Sequence, residues 1–158
     1  MSKKRTNSTK DNFLKLIAEP LPYDDIVHLS QYMAFNFRYF DNSQEPSSDF
    51  SELSHEQLLK IVNKIKNYSN NTTDYWKKQR VGNGKSHILE IYGDFPRNSD
   101  FKCPKHIPID VLWARFRLEG DMRLIGFIIS EDQHKEYYLA KNIFYIVFID
   151  ENHKFYKI

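Results

Sequence analysis

The chain has 158 residues, of which 41% are hydrophobic and 15% aromatic, enough apolar side chain to bury a core without disulfides or metals. Its formal net charge is +2, with 12 Lys/Arg against 10 Asp/Glu in residues 1–80 and 11 of each in residues 81–158. That balance excludes a strong global field for a polyanion, so any nucleic-acid contact has to come from local clustering.

A single cysteine, Cys103, excludes an intramolecular disulfide and fits a reducing compartment. No apolar run approaches the roughly 18 residues of a membrane span, and no signal-like apolar core follows the basic N-terminus. A cytoplasmic protein with no membrane partner is the expectation.

In chain order, residues 1–10 carry four basic side chains and no apolar anchor beyond Met1, which predicts a disordered basic arm. A single α+β domain is expected over residues 11–158. Asp11 is positioned to cap a short helix over residues 12–19, with Phe13, Leu16 and Ile17 on one face and Pro20 as its stop. Pro22 opens a second helix, with Asp24 and Asp25 in its first turn, where the helix dipole favours acid. Ile26, Leu29, Met33 and Phe37 recur at helical spacing, and the helix is drawn to about Ala34. Residues 35–40 alternate as a strand would and are left open. Residues 41–53 form a polar connection. Ser54 and Gln57 make a capping box for a helix whose buried stripe reads Leu58, Ile61, Val62, Ile65 and Tyr68.

Residues 73–80 predict one or two further helical turns, with Lys77, Lys78 and Arg80 beside Tyr75 and Trp76. Residues 87–92 read as a short strand. Residues 93–110, with Pro96, Pro104 and Pro108, are a loop. Three aromatic and β-branched runs follow, at 111–118, 122–129 and 142–149, and such residues suit a pleated, half-buried surface. The expected fold is therefore α+β, with N-terminal helices packed on a C-terminal antiparallel sheet of about four strands.

Along the first of these runs Trp113, Arg115 and Arg117 alternate with Leu112, Ala114, Phe116 and Leu118, which puts two guanidinium groups on one face and apolar groups on the other. Such an arginine-bearing face is either an anion or nucleic-acid site or a solvated outer face. The connection to the next run decides whether Arg123 joins them. A two-residue loop sends Arg123 to the opposite face, whereas a three-residue loop, Glu119-Gly120-Asp121, pairs Arg117 with Arg123 and gathers all three arginines. The three-residue loop keeps Phe116, Leu118, Met122 and Leu124 together on the buried side and is the expected one.

The remaining chemistry is sparse. Cys103 and His106, with His87 upstream, are spaced like half a zinc site, but there is no second cysteine to complete one, and neither a metal nor any other cofactor is expected. Glycine-rich phosphate loops, nucleophile elbows and His-Glu-x-x-His patterns do not occur. Asp150 and Glu151 are adjacent on a strand end and point to opposite faces, which argues against a two-carboxylate hydrolase. His153 and Tyr156 lie three apart in the tail. A histidine is a general acid or base near neutral pH and a tyrosine beside cations can pass a proton; equally, Phe155 and Tyr156 could pin the tail while His153 makes a turn.

The order of parts, helices and then an antiparallel sheet with an arginine in Asp121-Met122-Arg123-Leu124-Ile125-Gly126-Phe127 and a last strand running into a polar end with Tyr156, resembles the RelE/HigB-like toxins of bacterial toxin-antitoxin systems. The resemblance covers roughly residues 107–157. It implies a metal-independent endoribonuclease that cuts mRNA, in many members on the ribosome, and that a cognate antitoxin protein holds inactive. It further implies that His153 and Tyr156 occupy acid-base positions, that Arg123 is the mid-sheet phosphate ligand, and that Arg115, Arg117 and Lys154 contact substrate. The chain is about half as long again as typical members and lacks their surplus of Lys and Arg. The alternative is a non-catalytic binding protein, such as a phage or mobile-element factor, docking through an aromatic-rich face.

Overall fold

A computed structural model describes residues 30–156. Five strands, β1 (Ala34–Asn36), β2 (Leu89–Gly93), β3 (Leu112–Arg117), β4 (Arg123–Ile128) and β5 (Ile143–Asp150), form one sheet in the order β1-β5-β4-β3-β2. Among the described residues three helices accompany them: α1 (His55–Tyr68), α2 (Thr73–Lys78) and α3 (Glu131–Tyr137). The architecture is α+β. The β2–β3, β3–β4 and β4–β5 pairs are antiparallel, while β1 runs parallel to β5.

Both faces of the sheet are covered, because the central strands carry large apolar side chains on each side. One core joins Ala114, Phe116, Leu124, Phe144, Ile146 and Ile149 to Ile61 and Tyr68 of α1 and Trp76 of α2. The other joins Trp113, Ile125, Phe127, Tyr145, Val147 and Phe148 to Phe101 of the 93–111 loop and to Phe155 of the tail. Val147 and Phe148 face the same core because β5 bulges there: Ile125 pairs with Phe148 but Gly126 with Ile146. The bulge brings the two backbones together at Gly126, where a Cβ would lie 2.1 Å from the Tyr145 carbonyl oxygen.

The local grammar of the helices explains their ends. Ser54 and Gln57 form the capping box of α1, and Ser130 and Gln133 form another on α3, each satisfying otherwise orphaned N–H groups. At the end of α1 the Tyr68 hydroxyl donates to the Arg117 carbonyl, and its own carbonyl accepts from Trp76 Nε1 at 2.7 Å. Burial drives the Tyr68 phenol up to about 12, since desolvation disfavours the phenolate.

Several expectations need correction. The sheet has five strands, not about four, and is not wholly antiparallel: the open segment at 35–40 contributes β1, which a three-residue strand too short for periodicity could not announce. The helix drawn to Ala34 does not reach it. Tyr32 makes a strand-type bridge with Thr72, and Ala34 is already in β1, because edge pairing with β5 outweighs a weak helical spacing. The predicted arm at 1–10 and the helix at 12–19 lie outside the described residues, as does most of the helix from Pro22. Helix α3 was not expected at all. Val62, placed in the buried stripe of α1, is 60% exposed. The Trp113 face of β3 is not a solvated outer surface but the floor of the second core.

Candidate functional site

The arginines are gathered by the β3–β4 hairpin. Glu119-Gly120-Asp121 is a three-residue loop, closed by Leu118 N–H to Met122 C=O and Met122 N–H to Glu119 C=O, both 3.0 Å. Gly120 sits at φ +54°, in the left-handed region that a glycine enters without steric cost. The register that follows sets Arg117 opposite Arg123 and Arg115 opposite Ile125. Side chains alternate along a strand, so Arg115, Arg117 and Arg123 share the Trp113 face.

Their hydrogen bonds leave the cluster short of acceptors. The Gly120 carbonyl accepts from Arg123 Nη1 at 2.7 Å and from Arg117 Nη2 at 3.4 Å, and the Met122 carbonyl takes a second bond from Arg123 Nη1 at 2.8 Å. Arg115 Nε donates to the Tyr92 hydroxyl at 2.9 Å. The nearest carboxylate in an ion pair with the cluster is Glu90, 4.0 Å from Arg115 Nη2 and shared with His87. Arg115 is 6% exposed and Arg123 4%, yet among the described residues Arg115 Nη1 and Arg123 Nε have no hydrogen-bond partner. Burial, with Arg115 and Arg117 alongside, lowers the Arg123 pKa to about 10. Like charges opposite one another destabilise a strand pair by up to about 1 kcal/mol, and burying an uncompensated charge costs several kcal/mol more.

The tail does not continue along the sheet. Asp150, paired with Arg123 across β4–β5 and 1% exposed, accepts the backbone N–H groups of Asn152 at 3.2 Å, Lys154 at 3.0 Å and Phe155 at 2.8 Å. This curls the chain through His153, which stands at φ +55°, and drives Phe155 into the second core. Tyr156, 42% exposed, then stacks on Tyr92 with ring centroids 4.8 Å apart and planes 7° from parallel. Tyr92 in turn lies where β2 bulges: Ile91 pairs with Ala114 and Gly93 with Trp113, leaving Tyr92 as the extra residue.

Arg115, Arg117 and Arg123 therefore stand together, and Tyr156 reaches Arg115 through Tyr92. His153 and Lys154 are half-buried turn residues. Among the described residues neither side chain makes a hydrogen bond or ion pair with the arginines. Lys154 is held through its backbone, its carbonyl accepting from Asp100 N–H at 3.1 Å. Sequence reasoning missed two residues. Asp150 was set aside as half of an unsuitable carboxylate pair, although an Asp ending a strand ahead of Asn and His is a turn signal. Tyr92 had only the following Gly93 to mark a bulge.

The residues read as half a zinc site have separate partners: His87 faces Glu90 at 3.6 Å, while His106 stacks on Tyr39 and meets its carbonyl at 3.4 Å. Among the described residues, no three His, Cys, Asp or Glu side chains form a metal-holding group. No helix of the described residues is long and apolar enough to cross a membrane. What the hairpin end of the sheet offers is a set of positively charged donors, the chemistry that holds a phosphate and stabilises charge building on it. No protein-family model, curated protein or solved structure matches this chain.

Proposed function

We propose that the protein is a RelE-like toxin, an endoribonuclease that cleaves mRNA by attack of a 2′-hydroxyl on the adjacent phosphate and that a cognate antitoxin protein restrains. The observation that carries this reading is the in-register cluster of Arg115, Arg117 and Arg123, with two buried guanidinium nitrogens that lack acceptors among the described residues. A phosphodiester supplies what the cluster lacks. In the reaction a base takes the 2′-hydroxyl proton, the O2′–P bond forms, and the P–O5′ bond breaks. An acid then protonates the departing O5′, leaving a 2′,3′-cyclic phosphate and a 5′-hydroxyl. Arg123, with Arg115 and Arg117, holds the phosphate. Tyr156, stacked on the Tyr92 ring that holds Arg115, is the first acid-base candidate, with His153 the second and Lys154 a contact to the flanking backbone.

The test is cleavage of a defined RNA by the whole chain in EDTA, with end-group analysis. Cyclic phosphate ends, persistence in chelator, and loss of cleavage in Tyr156→Phe or His153→Ala at matched folding are the expected results. Activity that vanishes on chelation and returns with Mg²⁺ defeats the mechanism, and full activity in both variants removes the assigned acid-base pair. A second reading, a non-catalytic binding protein, is favoured by the exposed apolar pair Leu59 and Val62 on α1 and by Ile109 and Tyr138. It predicts RNA or protein binding with no cleavage in the same assay.

A further inference from the structure

We propose that Tyr92 is a positioning residue of the arginine site: its hydroxyl holds Arg115 by Nε, so that Arg115 Nη1 and Arg123 Nε remain for an oxyanion of the phosphate class. The inference rests on the anion-binding part of the reading above and extends it to a residue outside the hairpin and the tail.

Three observations converge on Tyr92. First, its hydroxyl accepts from Arg115 Nε at 2.9 Å. A phenol that accepts one bond keeps its own hydrogen to donate, so the contact adds another donor to the site and uses up none of the acceptors an anion would bring. Second, the sheet breaks its regular pairing at this residue, between Ile91 and Gly93, with Gly93 at φ +80°. Bulges of this kind re-aim a side chain beside functional sites. Third, the ring is the seat of the tail: Tyr156 stacks on it at 4.8 Å, and Phe155 lies 5.9 Å away. One side chain thus fixes the orientation of a buried guanidinium and the position of the terminal tyrosine.

The alternative acceptors for Arg115 are poor. Glu90 is 4.0 Å away, beyond hydrogen-bond reach, and is engaged with His87. Asp150 accepts from three backbone amides. Among the described residues the Arg115 guanidinium has no other hydrogen-bond partner to set its plane, and a planar fork that is not set loses the geometric advantage of bidentate oxyanion binding.

The experiment uses the whole chain and inorganic phosphate, followed by ³¹P line broadening under native conditions, with urea midpoints measured in parallel. The wild type is expected to bind phosphate. Tyr92→Phe, which keeps the ring and removes the hydroxyl, is expected to weaken it about tenfold, the scale of a hydrogen bond to a charged group. Phe95→Leu, which loosens the same aromatic cluster beside Trp113 and Phe155, is expected to leave the affinity unchanged. A lower urea midpoint for Tyr92→Phe with unaltered phosphate affinity overturns the inference, since that is what a purely structural role gives. So does equal weakening by Phe95→Leu, or absence of phosphate binding in the wild type. Phosphate binding that depends on Tyr92 in a protein that cuts no RNA upholds the inference and defeats the cleavage reading alone.

Discussion

Arg123 is the residue at which folding and binding pull apart. It is 4% exposed, its Nε lacks an acceptor among the described residues, and Arg117 lies directly across the strand pair. Burial, with Arg115 and Arg117 alongside, lowers its pKa to about 10, below that of a free arginine. A base whose pKa is depressed on folding costs stability while charged, and that cost is relieved as pH rises above about 10. At neutral pH the full cost is present. Arg123→Leu should therefore raise the urea midpoint in phosphate-free buffer, by about 1–3 kcal/mol in unfolding free energy, and should abolish stabilisation by added phosphate. A drop in midpoint would show that the bonds to Gly120 and Met122 outweigh the buried charge and that the arginine is mainly structural.

Among the elements, the hairpin and the β4–β5 pair carry glycines for opposite reasons. Gly120 has open space where a Cβ would stand but lies at φ +54°, so Gly120→Ala should cost about 1 kcal/mol. Gly120→Asn should cost less, because asparagine visits the left-handed region more readily. Gly126 has no such dihedral problem, yet a Cβ there would meet the Tyr145 carbonyl oxygen at 2.1 Å and Phe144 Cε1 at 2.9 Å. One of the two central strands would have to move. Gly126→Ala is expected to destabilise by more than about 2 kcal/mol, and thermal unfolding of the two alanine variants compares them directly. If Gly126→Ala is the milder of the pair, the close approach at the bulge is wrong.

Across the whole molecule, the sheet is a wall between two cores, and the second is closed by segments outside the strands, the connection from β2 to β3 and the tail after β5. Phe155 is 1% exposed and rests against Phe95, Phe101 and Trp113 at 5.2, 5.9 and 5.8 Å. Phe155→Ala should cost about 3–5 kcal/mol, as for a large aromatic removed from a packed core. It should also release Tyr156 from Tyr92, so that RNA cleavage falls further than the folded fraction does. An unfolding curve shifted by less than about 1 kcal/mol would mean that the tail is not part of this core.

The hairpin and its register were legible in the residues themselves. Three loop residues with a glycine, flanked by alternating apolar and basic positions, permit only one pairing that keeps Phe116, Leu118 and Leu124 on one side, and period-two alternation makes a one-residue slip expensive. The capping box of α1 was equally local. What the sequence could not determine were the features that depend on distant partners. Strand β1 exists because β5 offers it an edge more than 100 residues later, a pairing that no local propensity encodes. Whether the arginine face met water or protein was decided by the 93–111 loop and the tail folding over it. The joining of Arg115 to Tyr156 required a bulge in β2 and a turn held by Asp150, two irregularities that break the alternation on which sequence reading relies, so only the tertiary structure could set them.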